Sequence, residues 1–432
     1  MADRDPADGW PPLLSGEEAD EARATIEQIA GELRTHLPLG GMFQPAHFSL
    51  RDGYAGIALF FAYLHLTSAR KDDRDYAVEV LDRAVDGVTE MVARPGLYTG
   101  FSGVGWVLEH LRNLIPSNLR SARELAGELS EELQGTDWHA SFDLLHGVAG
   151  IGVYGLERQP EPDAAEWLAA VVARLAATAE RSPAGAAWRV RQDVPYGAYD
   201  LGIANGQAGA IAFLGAAYAA GVAPAETRRL ARRGVAWLLA HKLPAGERST
   251  FPRSFDPLGT AQPSRLAWCS GDLGIAVALL AAARHTGQRA WEGEALALAR
   301  RSAARRDELA ETPDACLCHG TAGIAHLFNR LFHATGEAAF GDAARFWIER
   351  TFAIRRPGER IAGFPAWGLN AQGKPGWRAE PGFLHGAAGI GLALLAAVSP
   401  VEPAWDRVML LSLPRKRKSR RHDPPQNLPM IH

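Results

Sequence analysis

Cysteine is scarce, with three in 432 residues. That excludes a disulfide-stapled scaffold and fits thiols that are kept reduced and used for a metal or for catalysis. A charge surplus is missing too. The chain carries 46 Lys and Arg against 49 Asp and Glu, a net charge of −3, so no whole-chain field draws it to nucleic acid. The N-terminus, MADRDPADGW, has no basic segment leading into an apolar one. We therefore read no secretory signal and a cytoplasmic chain. Two stretches, 208–225 and 382–400, carry no Asp, Glu, Lys or Arg, and each, at about 18 residues, is long enough to cross a bilayer. Both are rich in Ala and Gly and coincide with copies of a repeat, which reads as buried helices rather than transmembrane spans. Apolar residues make up 47%, ample for a large buried core in one large domain or two ordinary ones.

What the chain does have is a repeat. Gly-x-x-Gly followed by an apolar run occurs seven times, with first glycines at Gly53, Gly100, Gly147, Gly206, Gly271, Gly320 and Gly386. The spacings of 47, 47, 59, 65, 49 and 66 residues leave room in each unit for one more helix. Segments 19–36, 75–92, 119–133, 163–180, 226–241, 290–309 and 337–350 are amphipathic and read as outer helices with one wet face. The Gly-x-x-Gly helices are apolar nearly all round and read as inner ones. Glycine removes Cβ atoms where their crowded starts must approach. Seven outer and seven inner helices in alternation predict an all-α fold, a closed α/α toroid over residues 1–414. No terminal unit carries the polar cap that an open solenoid needs. Loops 244–267 and 357–381, rich in Pro and Gly, precede inner helices and read as walls of the mouth at one end of the ring. Residues 415–432, which include the basic run 415–421, read as a disordered tail.

Aligned on the first glycine, the position two before it holds Arg51, Tyr98, Leu145, Ala204, Cys269, Cys318 and Leu384. The position one before it holds Asp52, Thr99, His146, Asn205, Ser270, His319 and His385. Cys269 and Cys318 thus share a register in neighbouring units, and His319 adjoins Cys318. In a closed ring all three face one cavity, a donor set that suits tetrahedral zinc with one position open. The same placement suits two buried structural cysteines. Cys316 falls in another register and reads as a small buried hydrophobe.

The W-C-x-G and C-H-G motifs at Cys269 and Cys318, together with the seven repeats over 49–398, resemble the lanthionine synthetase C-like family. The resemblance implies an α/α toroid with zinc on Cys269, Cys318 and His319. It also implies addition of a peptide cysteine to dehydroalanine or dehydrobutyrine in a precursor peptide that a partner dehydratase has dehydrated. It implies active-site roles for Asp143 and Arg265, the first orienting or handling protons and the second steadying the enolate oxygen. A helix cap at Asp143 and a surface cation at Arg265 are the simpler readings. The family has a histidine, its general acid/base, where this chain has Asn205, and asparagine has no proton to give at neutral pH. His146 and His385 share its register and are the substitutes the sequence offers; either also suits a satisfied core histidine. Ser270 stands where the family often has tyrosine. No long dehydratase-like region precedes the repeats, so we expect a stand-alone cyclase. The alternative is a degenerate relative that holds zinc and peptide without efficient catalysis. A glycosidase on a similar barrel would need two cavity carboxylates instead.

Overall fold

The computed structural model describes residues 9–37, 47–90, 94–115, 124–127, 129, 141–190, 198–255, 261–306, 312–369 and 373–414. Helices alternate from outer to inner along the chain. They are α1 (Gly16–His36), α2 (Tyr54–Ser68), α3 (Lys71–Glu90), α4 (Phe101–His110), α5 (Val148–Glu157), α6 (Ala164–Thr178), α7 (Gln207–Ala219), α8 (Pro224–Ala240), α9 (Asp272–Thr286), α10 (Arg289–Ala303), α11 (Thr321–Thr335), α12 (Ala338–Ala353) and α13 (Ala387–Val398). The inner set is α2, α4, α5, α7, α9, α11 and α13, one per Gly-x-x-Gly. The outer helix expected at 119–133 lies mostly outside the described residues; those described within it, 124–127 and 129, are helical. The tail 415–432 also lies outside them.

Composition explains the two layers. In α2 every residue from Tyr54 to Leu64 is buried, as a helix apolar on all sides requires. In α8, Leu230, Ala231, Val235 and Leu238 are buried at helical spacing while Arg228, Arg229 and Arg232 face water. Among the described residues no helix is long and apolar enough to cross a membrane.

The ring closes. Inner helices pack in sequence order around the circle, α13 meets α2, and the first outer helix α1 rests on α13. Backbone hydrogen bonds stitch the helix starts into a hoop. Each residue two before the first glycine donates its N–H to the carbonyl of its counterpart in the next repeat. Arg51 donates to Tyr98 (2.9 Å), Tyr98 to Leu145 (3.1 Å), Leu145 to Ala204 (3.3 Å) and Ala204 to Cys269 (3.1 Å). Cys269 then donates to Cys318 (3.2 Å), Cys318 to Leu384 (3.0 Å) and Leu384 back to Arg51 (2.7 Å). This pairing satisfies seven backbone amides in a loop region without any sheet.

The glycines have a nearer reason than crowding between helix starts. A Cβ on Gly274 would run into the Trp268 carbonyl, and one on Gly323 into the Leu317 carbonyl. In both cases the obstacle is the repeat's own preceding turn, folded back over its helix.

Among the described residues, three two-stranded antiparallel pieces decorate the helices. They are β1 (Glu180–Ser182) with β2 (Gly185–Ala187), β3 (Tyr199–Asp200) with β4 (Ser254–Phe255), and β5 (Ala366–Leu369) with β6 (Pro375–Arg378). The last two pieces draw on the loops 244–267 and 357–381.

The repeats do not account for the segment after α13. A 3₁₀ turn, Ala404–Met409, lies against the inner helices. Val408 accepts from Tyr98 Oη (3.0 Å) and Met409 from Trp268 Nε1 (3.0 Å), the neighbour of Cys269. Asp406 is fully buried; it accepts from Arg330 Nη2 (2.6 Å) and His326 Nε2 (2.7 Å). Burial would raise its carboxyl, but Arg330 and His326 hold it below the ordinary range. Its contribution to stability is therefore present at neutral pH and lost on acidification through and below about pH 4. Asp406→Ala takes the nearest carboxylate from the buried Arg330, leaving it Glu402 (3.6 Å) and the Pro403 carbonyl (2.7 Å), and urea unfolding should show a loss of about 3 kcal/mol at pH 7.

Candidate metal centre

The hoop sets the site. It places residues two before the glycine side by side, and the residues that follow them are partly exposed in every repeat but that of Ser270, which is buried. The partly exposed ones, Asp52, Thr99, His146, Asn205, His319 and His385, line an opening over a buried ring. Cys269 and Cys318 are successive members of the hoop. Their Sγ atoms and a ring nitrogen of His319 all lie within 4.8 Å of one another.

The chemistry of these donors fits zinc. Tetrahedral zinc with Zn–S of about 2.3 Å holds its ligands roughly 3.5–4 Å apart, which this cluster reaches with small side-chain movement. The Cys269 thiol is pushed well below its ordinary range, first by a hydrogen bond from Cys318, then by the nearby His319 and Arg265 against the effect of burial. The Cys318 thiol, sharing that hydrogen bond, is pushed up. A cation held beside the pair would favour the thiolate form of both. A second group, Asp314, Cys316 and His319, is equally compact. It suits a metal less well. Burial and Asp314 push the Cys316 thiol well up, and the Asp314 carboxylate already accepts from Cys316 N (3.2 Å) and Trp367 N (2.9 Å).

Arg265 is part-exposed, and its charge acts on both thiols. Asp143 is buried and its Oδ1 accepts from His146 N (2.8 Å), so it fastens the turn ahead of α5 rather than capping the helix. Asn205 stands at the mouth just before Gly206, half-buried. His146 Nδ1 is held by Thr99 Oγ1 (3.0 Å), and His385 Nδ1 by Asp52 (3.0 Å). The His385 ring lies 5.8 Å from that of His319. Ser270 Oγ is 3.7 Å from Cys269 Sγ.

Three carboxyls escaped the sequence reading. Asp200 and Glu380 are both pushed up to about 7, chiefly by burial; after burial, Cys269 and Asp143 raise the first and Asp52 the second. With Asp314 they occupy the position six before the first glycine, the register of Arg265. That shared register was the signal that could have found them.

Residues 44–410 match the profile of lanthionine synthetase C-like protein. No curated protein matches the sequence. Among solved structures, nisin cyclase matches with 17% identity and a TM-score of 0.66, over 91% of this chain and 97% of that one. A cellobiose 2-epimerase from Spirochaeta thermophila follows at 12% identity and TM-score 0.49, over 91% and 99%. A sugar epimerase from a ruminal bacterium has 10% identity and TM-score 0.48, over 88% and 98%. The likeness to nisin cyclase is one of fold, an all-α toroid, while the profile spans the repeats, the hoop and the cysteine–histidine cluster alike. The chain belongs to the lanthionine synthetase C-like family.

Proposed function

We propose that this chain is a zinc-dependent cyclase. It adds the thiol of a peptide cysteine to dehydroalanine or dehydrobutyrine in the same precursor, forming lanthionine or methyllanthionine rings after a partner dehydratase has acted. The observation that carries this reading is the cluster of Cys269, Cys318 and His319 at the mouth of the ring, in a chain of this family. Those residues would hold the metal, which supplies charge that lowers the pKa of a bound thiol.

The protein's own groups do the rest. The S–C bond forms at the β-carbon, the π electrons move to the carbonyl oxygen, and a proton is returned at the α-carbon, so nothing else is consumed. Arg265, the cation that faces the thiols, steadies the enolate oxygen. Asn205 donates a hydrogen bond from its amide, and Asp143 keeps His146 and the α5 turn in place. Asp200 holds the proton: burial pushes its carboxyl up to about 7, the condition for both taking and returning one at working pH. His146 is the second candidate: Thr99 holds its Nδ1, which fixes the ring and leaves Nε2 for proton transfer.

The test is cyclisation of a dehydrated, cysteine-containing peptide by the zinc-loaded protein, with thiol loss followed by alkylation and mass spectrometry. Turnover well above a protein-free control is expected from the natural chain. Turnover only after Asn205→His would favour the second reading, which Asn205 itself supports: a zinc protein that holds peptide without efficient catalysis. No turnover by either zinc-loaded protein counts against a cyclase.

A further inference from the structure

Three large apolar side chains stand exposed among the described residues, and two of them, Trp367 (43%) and Leu369 (59%), lie on one strand, β5. The register pairs Trp367 with Trp377 and Leu369 with Pro375. All four therefore project from one face of the hairpin, and the two indoles meet edge to face at 5.0 Å. Beside this strip is a cavity of about 280 Å³ lined by Trp377, Phe364, Asp314, Arg355 and Arg356 among others, with the Arg356 guanidinium 4.5 Å from the Trp377 ring. Within 355–380 the chain carries Arg355, Arg356, Arg360, Lys374 and Arg378 against Glu359 and Glu380. This cationic excess sits on a protein of net charge −3. The strip is also continuous with the candidate site. Asp314 takes the Trp367 N–H and lies in one group with His319, and β6 runs on within a few residues through Glu380 to His385 at the mouth.

Apolar side chains at every second position, a flanking slot lined by arginines, and a lead into the mouth fit one occupant. We propose that the β5–β6 hairpin and the Arg355/Arg356 slot dock an extended, acidic segment of the peptide substrate, with apolar side chains at alternate positions, and feed the adjoining residues to the cysteine–histidine cluster. The assignment of substrate class rests on the cyclase reading above; the docking itself is measured separately from turnover.

The probe is a fluorescein-labelled peptide of alternating leucine and aspartate, titrated against the full chain and read by anisotropy. Binding is expected to weaken about tenfold or more in the Trp367→Ala/Leu369→Ala double variant, because exposed aromatic anchors carry most of such an interface. Arg356→Glu should weaken the aspartate peptide and spare its glutamine counterpart, and the aspartate peptide should bind less tightly as salt is raised. Cobalt-loaded variants that keep the wild-type thiolate-to-cobalt absorption show that lost docking is not lost fold. Wild-type affinity in the double variant, or equal binding of a lysine-for-aspartate peptide, overturns the proposal. So does single-stranded RNA binding more tightly than the peptide. Docking without any cyclisation leaves this surface standing and removes the catalytic reading instead.

Discussion

Cys318→Ala should bring turnover down to the protein-free rate and zinc content to background. The substitution removes one of two thiolates from a three-ligand set and leaves Cys269 and His319 to hold a dication. A bound metal is worth several kcal/mol of charge stabilisation, and at about 1.4 kcal/mol per decade its loss costs roughly a hundredfold or more. The side chain removed is small and sits on the hoop, whose hydrogen bonds run through the backbone, so the fold has no reason to fail with it. Cys316→Ala is the companion measurement. That residue is buried with a raised thiol pKa, so metal analysis should show its zinc unchanged. The reverse pattern, zinc kept by Cys318→Ala and lost from Cys316→Ala, would move the metal to the group formed by Asp314, Cys316 and His319.

Asp200→Asn should lower the cyclisation rate about 10²–10⁴-fold, the usual loss when a general acid is removed, while zinc content stays at the wild-type level. Its signature is in the pH dependence. Burial pushes the carboxyl up to about 7, so the protonated form is lost as pH rises through 7, and the wild-type rate should fall there on its acid-dependent limb. The variant should lack that limb. Stability gives a second readout. A carboxyl with a raised folded pKa binds its proton more tightly in the native than in the unfolded state, so the wild type loses stability between about pH 4 and pH 7. Urea unfolding of Asp200→Asn should be flatter across that window. A rate within a few-fold of wild type would return the proton to His146.

Much of this molecule was legible in its sequence. The seven Gly-x-x-Gly starts gave the inner helices because a helix buried all round must be apolar all round, and the outer stripes gave their partners. The register before the first glycine brought Cys269, Cys318 and His319 to one point, because each repeat enters its inner helix by the same turn. What escaped lay outside that alignment window. Asp200, Asp314 and Glu380 sit one turn earlier, among polar loop residues whose burial cannot be read from their types. Ala404–Met409 has no counterpart in the repeats, and only the fold shows that Asp406 meets Arg330, a residue 76 positions away. The hairpin at 366–378 fell inside a segment read as loop, because its short strands alternate Trp, Leu and Pro with Gly and Ala, too briefly to announce a period.

The hoop has a consequence for how the molecule comes apart. A linear stack of helix pairs frays from its free ends, one pair at a time. Here the last helix start is tied to the first through Leu384 and Arg51, and there is no outermost pair to peel away. Opening a link exposes the helix starts on both sides of it, and the three links that run through Cys269 and Cys318 hold the starts that carry the cysteine–histidine cluster. A metal on Cys269, Cys318 and His319 would bridge two neighbouring repeats of this circle, so its grip and the closure of the ring at that link would be lost together.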